Sequence, residues 1–459
     1  MPIHQYIPNS NPQSKNEMLE EIGVKSAEDL FADIPERMRF GKKLKLPDPK
    51  SEYEVRRHVE ATLSKNRTCS ELVSFLGAGC WPHYVPAVCD EINSRSEFVT
   101  AYAGDPYSDL GRYQALFEFQ SMIGELVAMD VVSFPWYDWG SVLGDAARMA
   151  LMVTQRREIL VPRTISPDRL ALLRTYLDGQ AEIRLINGDS ESGQLNLADL
   201  RSKISSKTAA VYVENPTYLG FIETGAEEVA QLAHREGALF MVGVEPLSLG
   251  ILAAPGDCGA DIVCGEGQPL GLHMYYGGAL LGFLACRDEE QLVSSVPHRL
   301  ITITKTQKEG EWGFTYVLPK RTMFAAREKA KSITGTATAL WAITVAVYLS
   351  LLGPQGMREL AQVIMEKSHY AMKLLSEIQG LKVPLFDAPH FEEFTVNFDA
   401  TGKSVQGINK VLLKSGILGG KDLCREFSEL GETSLFCVTE VHSKADIEKL
   451  AAALQEAVR

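Results

Sequence analysis

Short apolar runs separated by helical patterns dominate the middle of the chain. From about residue 130 to 290, runs rich in branched residues recur at Glu158–Val161, Ala181–Ile186, Ala209–Val213, Leu239–Val244, Asp261–Cys264 and Ala279–Ala285. Between them stand segments with apolar residues at helical spacing, among them DRLALLRTYL, LADLRSKI and AEEVAQLAHREG. The predicted strands are continuously apolar rather than alternating, as strands covered on both faces must be. Strand and helix in this rhythm predict right-handed crossovers and a large, mostly parallel sheet.

The flanks read differently. The stretch KNEMLEEIGV has helical spacing and a Gly stop, and Ser26 with Asp29 three residues on makes a capping box for a second short helix. Proline cannot continue a helix, so FGKKLKLPDPKS reads as an extended linker. After about residue 320 the chain turns helical again, through an uncharged stretch of 17 residues, Thr336–Leu352, and then MRELAQVIMEKSHYAMKLLSEI. A membrane span needs about 20 apolar residues, and Thr and Ser recur in this stretch, so a buried helix is predicted. The end mixes the strands FTVNF and SLFCVTE with a final helix, DIEKLAAALQEAV. The expected organisation is a helical arm over 1–70, a large α/β domain over 71–325 and a small α+β domain over 326–459.

Composition narrows the class. Of 459 residues 45% are hydrophobic and 23% charged, which suits a globular protein and excludes a disordered or fibrous one. A net charge of -13 argues against nucleic acid, whose phosphates need a basic face. The eight cysteines form no C-x-x-C pair and no histidine pair stands nearby, so no metal site is expected and the thiols read as small apolar fillers. Free thiols and an N-terminus without a basic-then-apolar leader point to the cytoplasm and away from membranes.

Several stretches carry a family resemblance when taken in order. They are YIPNS, EMLEEIGVKSAEDLF and DIPERMRF, then FLGAG, EFVTAY, ALFEFQSMIGEL and EPLSLGIL, then GADIVCGEGQPLG, GGALLGFLA, REKA, LLGPQGMRELA and CVTE. Together they resemble the glycine dehydrogenase (decarboxylating) family, subunit 1, the alpha half of the split P-protein of the glycine cleavage system. The resemblance runs from about residue 5 to 455, and GEGQPLG is its most specific piece. It implies the fold of the fold-type I pyridoxal-phosphate (PLP) enzymes, a large mostly parallel sheet followed by a small α+β domain. The family's reaction is decarboxylation of glycine on PLP, with the aminomethyl group passed to a lipoyl carrier protein.

An enzyme of that fold holds its cofactor at three places. A lysine forms the imine, an aspartate on a strand pairs with the pyridine nitrogen, and a helix N-terminus receives the phosphate. In catalytic relatives the lysine follows the Gly of a Gly-Ala-Asp segment by about ten residues. Here that segment is Gly259, Ala260 and Asp261, and the count leads to Pro269; no residue from Cys258 to Gly282 is lysine. The register of LFMVGVEP puts Gly243 in the aspartate's place, and Glu245, followed by Pro246, reads as a capping residue. The resemblance therefore implies a chain that binds no PLP covalently and works with a homologous PLP-bearing subunit, in an α2β2 assembly. No catalytic residue is assigned to it.

Other candidates remain. Gly140 and Ser141 open a helix and present N–H groups to an anion, although a plain cap is the simpler reading; the family's Tyr-Asp-Gly here reads Tyr137, Asp138, Trp139. The loop Thr100–Arg112 resembles a family loop that leans into the partner's active site. It offers Tyr102, Tyr107 and Asp109 as contributors, or it only packs at an interface. The REKAK patch from Arg327 to Lys331 could meet an acidic carrier but reads more simply as a solvated face. His83 and His273 read as structural. Three alternatives stay open: a paralogous subunit for another amino acid or acceptor, a scaffold without chemistry, and a PLP enzyme using Lys305 or Lys329.

Overall fold

The computed structural model describes residues 6–8, 10–42, 44–99, 112–278, 280–317, 326–329 and 337–459. The chain divides into two compact units, Met1–Arg67 and Thr68–Arg459.

Among its described residues the first unit holds two α-helices. α1 (Pro12–Ile22) is capped by the Asn11 side chain and stopped by Gly23, whose φ of 80° is the left-handed C-cap that glycine adopts without a Cβ clash. The Ser26 and Asp29 pair caps a short 3-10 helix, Ala27–Phe31, as its spacing predicts; the Ser26 N–H donates to Asp29 Oδ2 at 2.8 Å. α2 (Glu52–Leu63) opens on a second capping box, Ser51 with Glu54.

The second unit is built on a seven-stranded sheet. Its strands are β1 (Val131–Val132), β2 (Glu158–Pro162), β3 (Glu182–Ile186), β4 (Thr208–Asn215), β5 (Leu239–Val244), β6 (Ile262–Glu266) and β7 (Gly282–Cys286). Their order is β1-β7-β6-β5-β4-β2-β3. β7 runs antiparallel to both its neighbours and the other pairings are parallel. The strand predicted from Ala279 begins only at Gly282, and Ala279 lies outside the described residues.

The period of two sorts each strand between two cores. Leu160, Val211, Val213, Phe240, Val242 and Val263 face one core, shared with α4 (Tyr113–Val127). Ile159, Val161, Ala210, Tyr212, Met241, Ile262 and Cys264 face the other, covered by α5 (Trp139–Thr154) and α6 (Pro167–Leu177). α3 (Ala87–Asn93) contributes Cys89 to the first core. A sheet buried on both faces explains why its strands lack alternation in the sequence.

The uncharged stretch and the helical pattern after it form one helix, α7 (Ala339–Ser376), broken by non-helical backbone at Gly353 ahead of Pro354. Among the described residues it is the helix long and apolar enough to cross a membrane. Ala342, Ile343, Val345 and Ala346 of that stretch are buried in the first core, so the buried-helix reading stands. Its far end, with Ala371, Met372 and Leu375, enters a third core. There β8 (Glu393–Asn397) and β9 (Thr433–Cys437) pair antiparallel and pack against α8 (Val405–Lys414) and α9 (Lys444–Ala457).

Candidate active site

The positions expected for the cofactor converge at the C-terminal ends of β4, β5 and β6, on the α5 face of the sheet. Gly243, in β5, lies in register with Glu214 of β4 and Cys264 of β6. All three project, by parity, toward the N-terminus of α5. A Cβ built on Gly243 would collide with the Tyr212 hydroxyl and lie 2.7 Å from Cζ2 and 2.9 Å from Nε1 of Trp139. An aspartate therefore has no room there.

Trp139 takes up that space. It is the first residue of α5 and only 4% exposed. Its indole N–H donates to the Tyr212 hydroxyl at 3.1 Å, and that hydroxyl donates to Glu214 Oε1 at 3.2 Å. The Arg169 guanidinium of α6 lies 3.8 Å from the centre of the Trp139 ring. Arg169 also meets both oxygens of Glu214, at 2.8 and 3.2 Å. Burial works against the guanidinium charge, but Glu214 together with Tyr212, Tyr218 and Glu393 offsets it and holds the arginine above its usual range. Burial likewise pushes the neighbouring Cys264 thiol up to about 12.

The start of α5 is closed by carboxylates. Ser141 N–H donates to Asp138 Oδ1 at 2.7 Å, and Trp139 N–H donates to Glu266 Oε2 at 3.2 Å. Gly140 faces Leu172. An arriving phosphate would find those donors already taken by two carboxyl groups. Glu266 also accepts from Gln268 N–H at 3.0 Å and Leu281 N–H at 2.7 Å. It thereby shapes the turn that carries Pro269, which is buried. The Gln268 side chain fixes that turn to the segment before α3, exchanging bonds with Trp81 N–H and C=O at 3.0 and 3.1 Å.

Burial raises the Glu266 carboxyl to about 8, even with three N–H donors holding it. Its folded pKa stands above the unfolded value, so its contribution is present at acid pH and is lost as pH climbs from about 4.5 through 8. Glu266→Gln is expected to flatten that part of the profile. The difference in melting temperature between wild type and variant, followed from pH 5 to 9, should shift steadily in the variant's favour; a constant difference would show that Glu266 is ionised throughout.

A second group of buried charges borders the first. Trp81, Trp139, Arg169, Thr217, Glu245 and Glu392 are among the residues around a cavity of about 10 Å³ as open to the centre of a water molecule, room for about one water. Glu245 caps the short 3-10 helix Pro246–Gly250 through Leu247 N–H and Ser248 N–H, both at 2.8 Å, which is the capping role expected of it. Burial and the adjacent Glu392 hold it well above the usual carboxylate range. Glu393 begins β8 of the small sheet, and Glu392 precedes it. The Glu393 carbonyl presses against Gly220, where φ is 92° and any Cβ would strike it.

His83 anchors this group. Its Nδ1 is 2.8 Å from Glu440 and its Nε2 is 3.5 Å from Glu392. Burial opposes its charge, but the two glutamates raise its pKa to about 10, so the ring is an imidazolium at neutral pH. The structural reading of His83 thus acquires a definite content, a buried cation between two acids.

The other candidates lie elsewhere. His273 meets Asp90 at 3.1 Å on the surface. Lys305 is exposed and lies 5.8 Å from the Trp312 ring centre; Lys329 is exposed in a single 3-10 turn, Arg327–Lys329. Neither lysine lines the cavity beside Trp139. Tyr102, Tyr107 and Asp109 lie outside the described residues, as do Ala330 and Lys331. Sequence reasoning missed Glu266, Arg169 and Glu214. Glu266 had a signal, since it stands inside the GEGQPLG stretch, but Arg169 and Glu214 had none.

Comparison with known proteins identifies the family. A family model described as glycine cleavage system P-protein matches residues 4–454. The chain is 42% identical to a probable glycine dehydrogenase (decarboxylating) subunit 1 of Staphylothermus marinus, over 100% of this chain and 99% of that one. It is 42% identical to the protein of the same description in Thermococcus onnurineus, over 98% and 99%. Among solved structures, an inhibitor-bound glycine decarboxylase (P-protein) of the glycine cleavage system superposes with a TM-score of 0.85, at 34% identity and over 100% of both chains. A glutamate decarboxylase from Lactobacillus brevis, at 13% identity and a TM-score of 0.70 over 94% of this chain and 97% of that one, shares the fold alone.

Proposed function

The chain belongs to the glycine cleavage system P-protein family, and from that membership we propose that it is the cofactor-free subunit of a two-subunit glycine decarboxylase. The observation that carries this reading is the packing of Trp139 against Gly243, which leaves neither an aspartate nor space for a pyridine ring. Pro269 in the lysine's place and the carboxylates at the start of α5 support it further. The residues present do not fit pyridoxal phosphate, so the cofactor belongs to a homologous partner in an α2β2 assembly. There it would supply the electron sink that loss of carbon dioxide from glycine requires.

This chain's own part is to complete the partner's site and to admit the lipoyl arm of the carrier protein. The loop bearing Tyr102, Tyr107 and Asp109 is the segment we assign to that task, with the Tyr102 hydroxyl orienting the substrate carboxylate. The free thiols suit a cytoplasmic enzyme.

The test is reconstitution. Partner, carrier and this chain together should exchange bicarbonate into glycine, while this chain alone should stay inactive and, once free pyridoxal phosphate has been removed, carry no cofactor absorbance. An imine absorbance band in the chain alone, or no exchange by the full set, would overturn the proposal. In the reconstituted set Tyr102→Phe should slow exchange about tenfold or more, as loss of one orienting hydrogen bond does. Unchanged turnover would reduce the loop to an interface element.

A further inference from the structure

We infer that Trp139 is a built-in occupant of a slot preformed for a planar aromatic ring, so that the chain holds a latent aromatic-ligand site which one substitution opens. The inference rests on the cofactor-free reading of the chain and extends it.

The walls of the slot are fixed without Trp139. Arg169 is aimed by both oxygens of Glu214. The Tyr212 hydroxyl is held by Glu214 Oε1 at 3.2 Å. Tyr212 and Glu214 belong to β4, and the bare backbone of Gly243 belongs to β5, paired on both sides. Arg169 and Tyr212 are both buried, and Thr217 and Tyr218 border the guanidinium. A well-packed interior relaxes only in part when a side chain is removed, so these walls should outlast the indole.

The chemistry of the walls names the ligand. A guanidinium lies over one face, 3.8 Å from the ring centre, and favours an electron-rich aromatic plane. The Tyr212 oxygen accepts one N–H in the plane of the ring, at 3.1 Å. The floor is glycine backbone with the Cys264 thiol beside it. This is the recognition pattern of a neutral heteroaromatic N–H compound, of which indole is the simplest probe. It does not suit a phosphorylated pyridine. Asp138 and Glu266 already occupy the N–H groups of Ser141 and Trp139, and the Asp138 carboxylate would repel a phosphate.

Trp139→Gly, which puts the family's glycine in the tryptophan's place, opens the slot. Added indole should then raise the melting temperature of the variant by about 2 °C or more near saturation and leave the wild type unmoved. Pyridoxal phosphate should shift neither protein. Indole acting equally on both proteins, or on neither, overturns the inference. So does a variant that responds to pyridoxal phosphate as strongly as to indole. Should the variant fail to accumulate as folded protein, its recovery on dilution from urea with and without indole decides the matter. Indole-dependent recovery supports the slot, and recovery indifferent to indole overturns it. A wild-type chain that gains an imine band would instead overturn the cofactor-free reading; an indifferent Trp139→Gly beside a colourless wild type overturns only this inference.

Discussion

Replacing His83 by alanine is expected to cost about 3–5 kcal/mol of folding stability, the usual penalty for breaking a buried ion pair from one side. The side chain of His83 is 1% exposed and is the cation that faces Glu440 at 2.8 Å and Glu392 at 3.5 Å. Without it Glu392 stays buried and Glu440 half-buried, close to Glu245 and Glu393, while the nearby cation Arg169 is already committed to Glu214. The effect has a pH signature. The folded pKa of about 10 lies above the unfolded value near 6.5, so the contribution is complete below about 6.5 and lost as pH rises toward 10. Urea denaturation at pH 6, 8 and 9.5 should show the wild type weakening across that window and His83→Ala weakening less. A variant within about 0.5 kcal/mol of wild type at neutral pH would show that His83 carries no charge there. Adding Glu440→Gln should return part of the loss, because the stranded charge is then removed.

Arg169→Met should cost a similar amount, about 3–5 kcal/mol. The methionine keeps most of the apolar volume but leaves Glu214 without its cation and Trp139 without the guanidinium over its ring. The loss is therefore electrostatic rather than a cavity effect. Pairing it with Glu214→Gln separates the two contributions. Removing both members of a buried pair is often close to neutral, so the double variant should recover most of the stability. What remains missing, about 1–2 kcal/mol, would measure the stacking on Trp139. A double variant no more stable than Arg169→Met would place the cost in packing instead.

The sheet was legible because its strands are long, apolar and branched. Leu239–Val244 was read with the bounds it has, and Glu158–Val161 falls short by one residue. The buried helix was legible because uncharged residues persist through more than one face. The site was less so. Gly243 and Pro269 could be located only because a resemblance supplied the register, and no local pattern marks either as unusual. Trp139 read as a helix-opening substitution; that its ring covers Gly243 depends on the crossover that brings α5 beside β5. His83 and Glu440 are separated by 357 residues, and Arg169 and Glu214 by 45. Ion pairs of that span leave no periodic trace, because each partner satisfies only its own element's rules. Glu266 looked like one letter of a family stretch. Its role follows from three N–H groups converging on it from three different segments.

The helix Ala339–Ser376 has one further consequence, for inheritance. Its first half fills the core of the large sheet and its last turns fill that of the small one. The backbone break at Gly353 looks like a seam, yet Met357, Ala361 and Ile364 beyond it still belong to the large core. A crossover at the seam would give the large sheet another lineage's side chains at three packed positions. The two sheets are thus tied into one unit of descent, and a change in either is constrained by what their common helix can accept.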